Sequence, residues 1–419
     1  MRKFIFSLLI FVLCLAGIFA QTRSLTLNDA LALALENNLS VKRERISLEA
    51  AKRNADHAWN SILPSVSLSA NDDIDLPEFT NNFSLEAKLS LSVGTDFFAA
   101  IKKAKLDYEA KQISFDEALC EITSQVKELY FSLLLAKENL DFLRENIENA
   151  RIQAEQNEER YRRGTLSEME YLSSKLSYEK MKPELKSGEL AYKNDLKSFC
   201  LFLGIDSEEV FLNGNLEDFI SQYAIFFDEE KKSELEEIVN NEEVPSVLNL
   251  KKQVECARKD VSAARLTAYG PSALLSYSIT PSKQAASLGL SLPLENLLPF
   301  SKGADSINAA KDSVKDLELQ LMEKTKLSKA EFSYIIESLE QKEESINSLK
   351  DSVKLAQANY DATCFAYTKG MTEFLSMQNA SRENLEAKLT LQNDILENLK
   401  LYISLEKLCG ISAFNSEEK

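Results

Sequence analysis

The sequence predicts a mainly α-helical protein with a small β part, in which long α-helical coiled-coil hairpins and two β-hairpins arise by duplication of one unit. Three observations carry this prediction. Landmark residues repeat at a constant offset, apolar residues follow heptad spacing over long stretches, and two short regions alternate apolar with small polar residues. Gly (11) and Pro (8) are scarce among 419 residues and charged residues make up 27%, which is atypical of a loop-rich enzyme.

One set of landmarks occurs twice along the chain, which indicates an internal duplication. Pro64 and Pro271 are 207 residues apart, and each opens a region of alternating polarity. Three further pairs are separated by 206 residues: Tyr161 and Tyr367, Gly164 and Gly370, and Gly204 and Gly410. The constant offset predicts two copies of one structural unit, so one structural account serves both halves.

The duplication sets the expected domain boundaries. Residues 21–205 form the first structural repeat and residues 244–411 form the second. A connector over 206–243 joins them, a signal peptide over 1–20 precedes them, and a tail over 412–419 follows.

Each repeat is predicted to contain one long helix, over residues 96–161 and 302–367. Apolar residues recur in both at the spacings of a coiled-coil seam, which requires partner helices. A helix of about 65 residues is about 100 Å long, more than a compact domain needs. The two shorter helices of each repeat, placed end to end, are about as long as the long helix, so together they can pack along it. They are predicted over 40–61 and 167–203 in the first repeat and over 244–269 and 372–408 in the second. The seam residues are Ile122, Val126, Leu129, Leu133, Ala136, Leu140, Leu143, Ile147, Ala150 and Ala154 in the first repeat and Leu339, Ile346, Leu349, Val353, Ala356, Tyr360, Thr363 and Tyr367 in the second.

Two similar turns interrupt these helical stretches. Residues 160–172 read RYRRGTLSEMEYL and residues 366–375 read AYTKGMTEFL, so each turn has the pattern Tyr-x-x-Gly. Glycine ends a helix readily because it adopts the left-handed conformation without steric cost. We therefore expect both turns, at Tyr161 with Gly164 and at Tyr367 with Gly370, to close the far tips of two coiled coils.

The opposite end of each coiled coil is predicted to carry a β-hairpin, at about residues 65–93 and 272–293, with loops at about 71–82 and 281–284. One face of each hairpin is apolar and the other is lined by small polar residues, as in transmembrane barrels. Four strands cannot close a barrel, and unpaired edges are not tolerated in lipid, so several copies of the chain are expected to share one barrel. The alternative is a pair of soluble sheets that cap a coiled-coil rod.

The N-terminus predicts export. Arg2 and Lys3 precede an apolar run that ends with a small residue at Ala20, the pattern of a secretory signal peptide; a single membrane anchor is the alternative. Lipidation at Cys14 is disfavoured by the bulky Leu13 before it. No later segment contains 18 consecutive apolar residues, and the net charge of −17 argues against a nucleic-acid partner.

The motifs of phosphate-binding loops and of metalloproteases are absent from the sequence. No Gly-rich phosphate loop or HExxH motif occurs, and His57, the single histidine, is interpreted as an ordinary helical residue. The sequence therefore predicts no enzyme activity, no cofactor and no metal site. Five cysteines follow the leader with wide spacings, and most are expected to be small buried residues on helices; they are Cys120, Cys200, Cys256, Cys364 and Cys409.

The opening segment LTLNDALALALENNLSVKRERISLEAAKRNADHAWNSILPSVSLSA resembles the start of TolC-type outer-membrane efflux proteins, and VPSVLNLKKQVECARKDVSAARLTAYGPS resembles their second half. The resemblance covers essentially the whole mature chain. It implies a homotrimer in the cell outer membrane, with a 12-stranded β-barrel continuous with a periplasmic α-helical barrel. It also implies that residues from about 206 to 241, together with the C-terminal tail, form an equatorial belt. The tips are implied to dock to an inner-membrane pump and a periplasmic adaptor protein.

At the gate the sequence departs from the resembled family, whose members carry carboxylates shortly after the second turn, where this chain has Ser376 and Asn379. We expect a weaker acidic ring, chiefly Glu170 with Glu373 and with Glu168 nearby, that favours cations. The alternative is that all three are solvated surface residues.

Two further features bear on permeation and bending. Glu86 and Lys88 lie on the predicted lumen side of the barrel, where inward charges tune permeation; pairing with each other is the alternative. Pro183 and Gly188 fall within the helix over 167–203, where a kink is expected.

The predicted function is an exit duct of a tripartite efflux or type I secretion system. A competing hypothesis is a periplasmic coiled-coil adaptor or envelope scaffold without a pore. Such adaptors usually combine one helical hairpin with other domains, whereas this chain has two hairpins and little else.

Overall fold

The computed structural model describes residues 23–75, 80–94, 96–205, 210–280, 283–292, 296, 298, 300–411 and 413. The predicted signal peptide lies outside the described residues. Helices dominate, and the small β part consists of six strands within those residues. None of the described helices is long and apolar enough to cross a membrane.

The two repeats contain matching elements. The first has helices α1 (Leu27–Asn37) and α2 (Leu39–Asp56), a 3-10 helix (Ala58–Ile62), strands β2 (Ser65–Asp75) and β3 (Thr80–Gly94), and helices α3 (Asp96–Arg162) and α4 (Glu168–Leu203). The second has α7 (Pro245–Tyr269), strands β5 (Ser272–Thr280) and β6 (Lys283–Ser291), α8 (Lys302–Thr368) and α9 (Phe374–Cys409). The long helices α3 and α8 have 67 residues each, and the returning helices α4 and α9 have 36 each.

Short elements precede and separate the repeats. Strand β1 (Arg23–Leu25) pairs in parallel with β4 (Val210–Leu212), and α5 (Leu216–Phe226) and α6 (Glu229–Asn240) follow β4. Thr26 caps α1 in a capping box with Asp29, because the Thr26 hydroxyl accepts from the Asp29 amide and the Asp29 carboxylate accepts from the Thr26 amide.

Two sequence predictions are corrected at the first hairpin. The helix predicted over 40–61 ends at Asp56 and continues as the 3-10 helix. The loop predicted over 71–82 was wrong in extent, because β2 and β3 remain paired from Asn71 opposite Ser84 to Asp75 opposite Thr80. The apolar alternation ends before the pairing does, since the ladder is formed by backbone groups and does not require apolar side chains.

One seam residue differs from a simple coiled coil. Leu129 is 40% exposed, whereas Ile122, Val126 and Leu133 are buried. Helix α4 contains Pro183 within its span, where proline removes one helical hydrogen bond, and the kink expected there stays a prediction.

The described residues fall into two compact units. The first contains residues up to Lys42, Leu119–Glu236 and those from Glu331, and the second contains Arg43–Ala118 and Glu237–Ala330.

An aromatic core occupies the first unit. The Tyr130 hydroxyl donates to the Leu25 carbonyl at 3.0 Å and also contacts the carbonyl oxygen of Asn213, so it contacts both the last residue of β1 and the residue after β4. Burial raises the pKa of Tyr130 to about 12, which keeps the donor proton in place at neutral pH. The aromatic residues that pack in this core are Tyr130, Phe131, Phe199, Phe219, Tyr223, Phe227 and Tyr402.

A buried ion pair lies in the same unit. Lys127 Nζ is 2.6 Å from Glu406 Oε2, and both side chains are only 3% exposed. The Tyr223 hydroxyl donates to the same oxygen at 3.2 Å, and the Ala413 amide donates to Glu406 Oε1 at 2.5 Å. Glu406 therefore joins α3, α5 and the residues that follow α9, and its lone pairs are largely satisfied.

A second polar contact joins α8 and α9. Asp394 accepts hydrogen bonds from Lys342 Nζ at 2.9 Å and from the Ser345 hydroxyl at 2.7 Å. Burial alone would raise the pKa of Asp394, but these two donors outweigh it and the pKa lies below its ordinary value. A depressed carboxylate pKa stabilises the folded state above the unfolded pKa, and this stability is lost as the pH falls through the folded pKa.

Replacement Asp394→Asn is therefore expected to lower the free energy of unfolding at pH 7 by about 1 kcal/mol. The loss should be smaller at a strongly acidic pH below the folded pKa, where the wild-type carboxylate is itself protonated. Urea unfolding at the two pH values measures this difference. An equal loss at both would show that the ionised carboxylate does not stabilise this contact.

A four-stranded antiparallel sheet is the main feature of the second unit, with strand order β2-β3-β5-β6. The two hairpins of the two repeats join through β3 and β5, and both outer strands, β2 and β6, have an unpaired edge within the described residues. A sheet with two open edges can extend by pairing with further chains.

All five cysteines after the leader lie on helices, and none of them forms a disulfide within the described part of the chain. Cys200 and Cys409 are buried, as expected for small apolar residues, whereas Cys120, Cys256 and Cys364 are half-buried. Burial raises the pKa of the Cys409 thiol to about 12, so this thiol is unreactive at neutral pH.

Candidate functional site

The first candidate turn ends α3 with a glycine in the left-handed conformation. Gly164 has φ 72°, its amide donates to the Tyr161 carbonyl at 2.9 Å, and the Thr165 amide donates to the Arg160 carbonyl at 2.9 Å. These two bonds form a Schellman motif, which satisfies the last carbonyls of the helix. Ser167 then caps α4 and accepts from the Glu170 amide at 3.2 Å.

The second candidate turn has the same backbone. Gly370 has φ 76°, its amide donates to the Tyr367 carbonyl at 2.9 Å, and the Met371 amide donates to the Ala366 carbonyl at 2.9 Å. No atom lies within 4 Å of a Cβ placed on either Gly164 or Gly370, so the left-handed backbone, and not lack of space, requires glycine at both turns.

The two tyrosines of the turns have different surroundings despite their equivalent positions. Tyr161 is 37% exposed and stacks on Tyr171 with ring centroids 5.1 Å apart. Tyr367 is 2% exposed and packs against Phe374 and Met377. The duplication therefore preserves the turn but not the role of its aromatic side chain.

Tyr367 connects the two helical hairpins. Its hydroxyl donates to Asn157 Oδ1 at 2.9 Å, and the Arg160 guanidinium lies over its ring at 5.5 Å from the centroid. Asn157 is fully buried, and Oδ1 also accepts from Gln153 at 3.2 Å. Burial raises the pKa of Tyr367, the Asn157 and Arg160 contacts oppose this rise, and the negative charge of Glu170 adds to it. The hydroxyl therefore remains a donor at neutral pH.

Two further hydrogen bonds join the hairpins along their length. Gln378 Nε2 donates to the Ser177 hydroxyl at 2.8 Å, and the Ser381 hydroxyl donates to Asn146 Oδ1 at 3.1 Å. A groove of about 500 Å³ lies beside these contacts, lined by residues of α3, α4, α8 and α9. The interface near the tips is thus held by a few polar contacts around open space, an arrangement that can rearrange more easily than a close-packed core.

The three candidate gate glutamates lie at the starts of the returning helices. Glu168 and Glu170 are in the first turn of α4, and Glu170 Oε2 accepts from the Ser167 hydroxyl at 3.0 Å. Glu373 is the N-cap of α9 but makes no side-chain capping bond. Among the described residues, none of the three forms an ion pair with a basic side chain.

Basic residues at the first turn do not cancel these charges completely. Arg162 is paired with Glu158 at 2.5 Å, and Arg163 is paired with Glu159. At the second turn, Lys369 lies over the ring of Phe365.

The sheet separates the candidate lumen residues from an apolar face. Glu86 lies opposite Ser69, and Lys88 lies between Ser67 and Ser278. Among the described residues, Glu86 and Lys88 form no ion pair with each other, so the pairing alternative is not observed. Cross-strand rows on the polar face include Ser65, Ser90, Ser276 and Ser287, while rows on the opposite face include Val66, Leu89, Tyr277 and Ala286.

The apolar face is exposed in the single chain. Val66 is 77% exposed and Leu290 is 82% exposed. An exposed apolar sheet face beside an unpaired edge requires lipid or further protein to cover it. Leu274 is an exception to the sequence pattern, because the register places it between Ser92 and Gly289 on the polar face.

Asn157 and Arg160 are the residues that the sequence analysis missed. Asn157 follows Ala154 by three residues and precedes Tyr161 by four, so it occupies a position of the predicted seam. A polar residue at a seam position often specifies a particular partner, and this was the available signal. Within the described part of the chain, no group of three or more His, Cys, Asp or Glu side chains is arranged to hold a metal ion.

Comparisons with known proteins agree with this architecture. Residues 30–204 match the family model of the outer membrane efflux proteins. No curated protein matches the chain. The sequence match covers the first structural repeat, and the solved structures extend the similarity to the rest of the chain.

Solved structures of outer-membrane channels share the fold. CusC, studied for the changes that accompany its folding and transmembrane channel formation, is 13% identical with a TM-score of 0.74 over 92% of both chains. The CmeC outer membrane channel of Campylobacter jejuni is 18% identical with a TM-score of 0.71 over 94% of this chain and 87% of its own. The MtrE outer membrane channel of Neisseria gonorrhoeae, in its open state, is 15% identical with a TM-score of 0.73 over 94% and 91%.

Sequence and fold therefore agree in the class of protein that this chain is similar to. Residues 30–204 match the family model of the outer membrane efflux proteins, and nearly the whole chain shares the fold of outer-membrane channels. Both findings agree with the family resemblance seen in the sequence.

Proposed function

We propose that this chain is the outer-membrane channel of a tripartite efflux or type I secretion system, a passive exit duct from the periplasm to the exterior. The observation that carries the proposal is the four-stranded sheet, which combines an exposed apolar face, a serine-rich polar face and two open edges. Three copies supply twelve strands, enough to close a barrel whose apolar face contacts outer-membrane lipid.

The helical hairpins continue the duct into the periplasm. The turns at Tyr161 with Gly164 and at Tyr367 with Gly370 are its tips, where an inner-membrane pump and a periplasmic adaptor protein dock. The pump supplies the free energy of transport, and we assign no catalytic step, cofactor or metal to this chain. The matching family and the channel structures favour the duct over a pore-less scaffold.

The tip controls passage. In the closed state the Tyr367 hydroxyl bond to Asn157 holds the second hairpin against α3. Glu170, with Glu168 and Glu373 nearby, contributes negative potential at the narrow end and so favours cations. Further along the duct, Glu86 and Lys88 contribute one charge of each sign per chain to the barrel lumen.

Replacement Glu170→Gln is expected to lower the permeability ratio of potassium over chloride toward one, because it removes a carboxylate that forms no ion pair within the described part of the chain. Reversal potentials of reconstituted channels under a salt gradient measure the ratio. Glu158→Gln is the matched control, since Glu158 is already paired with Arg162. An unchanged ratio in the Glu170 variant would remove Glu170 from the gate.

The assembly itself is tested by the native mass of the mature protein in mild detergent, measured by light scattering with the detergent contribution subtracted. We expect about three times the mass of one chain, which is 47.2 kDa before removal of the leader. The complex should aggregate when detergent is withdrawn. A monomer or dimer that stays soluble without detergent would instead support the pore-less scaffold.

A further inference from the structure

Helix α9 carries amide side chains at buried positions, and we call Asn384, Gln392 and Asn398 the amide seam. Asn384 is 7% exposed, Gln392 is 8% exposed and Asn398 is 0% exposed. Asn384 and Asn398 lie 14 residues apart, which is two heptads. Leu391 and Leu405 occupy the same heptad position, and both are buried. One buried column of the helix therefore alternates asparagine with leucine.

Four polar atoms of the amide seam have no hydrogen-bond partner among the residues that the structure describes. They are Asn384 Oδ1, Gln392 Oε1, Asn398 Oδ1 and Asn398 Nδ2. Asn384 Nδ2 is satisfied, because it donates to Gln357 Oε1 of α8 at 2.9 Å. A buried polar group without a hydrogen bond raises the free energy of the arrangement that buries it.

Hydrogen bonds between α9 and the first helical hairpin, formed by α3 and α4, lie on either side of the amide seam. Toward the tip, the Ser381 hydroxyl donates to Asn146 Oδ1 of α3 at 3.1 Å. Beyond the seam, Glu406 forms its buried ion pair with Lys127 of α3. Over 384–398, all of which is described, no side chain of α9 forms a hydrogen bond to α3 or α4. The hydrogen bonds that hold the two hairpins together are therefore found at both ends of this segment and not along it.

The middle of α9 is instead tied to α8, which belongs to the same hairpin. Asp394 accepts hydrogen bonds from Lys342 and Ser345 of α8. The Tyr402 hydroxyl donates to Glu343 Oε1 of α8 at 3.0 Å. Helices α8 and α9 are thus coupled to each other in the segment where α9 has no hydrogen bond to the first hairpin.

The contact between α9 and α3 beside the amide seam is loose. The Lys388 ammonium lies over the Phe142 ring at 5.7 Å from its centroid. A cavity of about 30 Å³ lies next to this contact, and its lining includes Asn384 of α9 with Phe142 and Asn146 of α3. Parting of the two hairpins here breaks few polar contacts and lets water reach the seam.

We propose that the amide seam is a conformational device that facilitates opening of the tip. In the closed arrangement its four unpaired groups are held away from water, which raises the free energy of that arrangement. Parting of α9 from α3 hydrates these groups and so offsets part of the cost of breaking the hydrogen bonds near the tip. This inference rests on the proposed function, because it assigns the amide seam to the opening step of the duct.

The oxidation rate of Met377 reports tip opening without a label. Met377 is 7% exposed and packs against Tyr367 and Phe374, whereas Met322 is 57% exposed. The full mature protein in mild detergent is treated with dilute hydrogen peroxide, which transfers one oxygen to each thioether sulfur and leaves water. Peptide mass spectrometry follows both methionines. We expect Asn398→Leu to slow the oxidation of Met377 about 5-fold to 150-fold relative to Met322, and to raise the midpoint of thermal unfolding by about 2–4 °C.

The matched control is Asn393→Leu, which replaces an exposed amide on the same helix and should leave the oxidation of Met377 unchanged. Gln392→Leu should act in the same direction as Asn398→Leu, and its result decides if Asn398→Leu does not fold. Unchanged or faster oxidation of Met377 would overturn the proposal. A lower unfolding midpoint would also overturn it, because the amides would then stabilise the closed arrangement.

These two measurements do not require a pore, so the device and the duct fail separately. Discrete conductance steps, together with Met377 oxidation that does not respond to Asn398→Leu, would remove the device and leave the duct intact. Slower oxidation of Met377 in a protein without conductance steps would overturn the duct and leave the effect of the amide seam on helix packing.

Discussion

Replacement Glu406→Gln is expected to lower the free energy of unfolding by about 3–5 kcal/mol, because it leaves Lys127 as a buried charge without its carboxylate. The pair is 2.6 Å long and both side chains are 3% exposed, so water cannot replace the lost partner. The Tyr223 hydroxyl and the Ala413 amide also lose their ionised acceptor. Thermal unfolding of the purified protein, followed by the helical circular dichroism signal, measures the effect.

A neighbouring ion pair provides the control. Lys407 is paired with Glu121 at 2.5 Å, but these side chains are 51% and 43% exposed. The Lys407 contact holds the pKa of Glu121 below its ordinary value, against a smaller effect of burial. Replacement Glu121→Gln is expected to cost about 0–1 kcal/mol, since solvent screens an exposed pair.

The combined variant Lys127→Met, Glu406→Leu should recover most of the stability, because apolar residues of similar volume often substitute well for a buried pair. Similar losses for Glu406→Gln and Glu121→Gln would contradict this explanation. They would show that burial does not set the strength of the Lys127 contact.

Replacement Tyr367→Phe is expected to shift the tip toward its open state. The change removes the hydroxyl that donates a hydrogen bond to Asn157 Oδ1. The fully buried side-chain amide of Asn157 then loses one of its hydrogen-bond donors. Loss of such a bond costs about 1–3 kcal/mol, which corresponds to an increase of about 5-fold to 150-fold in the ratio of open to closed tips. Open probability in planar lipid bilayers measures the shift.

Tyr161→Phe is the matched control for this prediction. Tyr161 occupies the equivalent position 206 residues earlier, but it is exposed and contacts Tyr171 by stacking, which phenylalanine preserves. We expect its open probability to equal that of the wild type. An increase of the same size in both variants would mean that the turns respond to any substitution, and the Tyr367 bond would have no special role.

Much of the fold follows from local patterns in the sequence. The heptad spacing of α3 and α8 places the long helices within one or two residues of their observed ends, because an apolar seam and a terminal glycine are both local signals. The alternation of apolar and serine residues likewise predicts the two hairpins and the face that each side chain occupies. Leu274 departs from this pattern, because it is an apolar residue on the polar face of the sheet. Only its pairing with Ser92 and Gly289 in the sheet shows this position.

The contacts of the candidate site depend on residues far apart in the chain. Tyr161 and Tyr367 have the same local sequence pattern, and only the packing of α8 against α3 distinguishes the exposed ring from the buried one. Lys127 and Glu406 are separated by 279 residues, and neither lies in a motif. Their pairing is a property of the tertiary structure, as is the extension of β2 and β3 beyond their apolar residues.

The central claim, that this chain forms a duct, is tested most directly by conductance. The purified mature protein and its Tyr367→Phe variant are each inserted into planar lipid bilayers under a salt gradient. We predict discrete conductance steps with a preference for cations in both proteins, and a higher open probability in the variant. Absence of discrete conductance steps in both proteins, at protein densities where insertion is verified, would contradict the claim that this chain forms a duct. A closed tip could explain the lack of conductance in the wild type, but not in a variant that lacks the Tyr367 hydrogen bond.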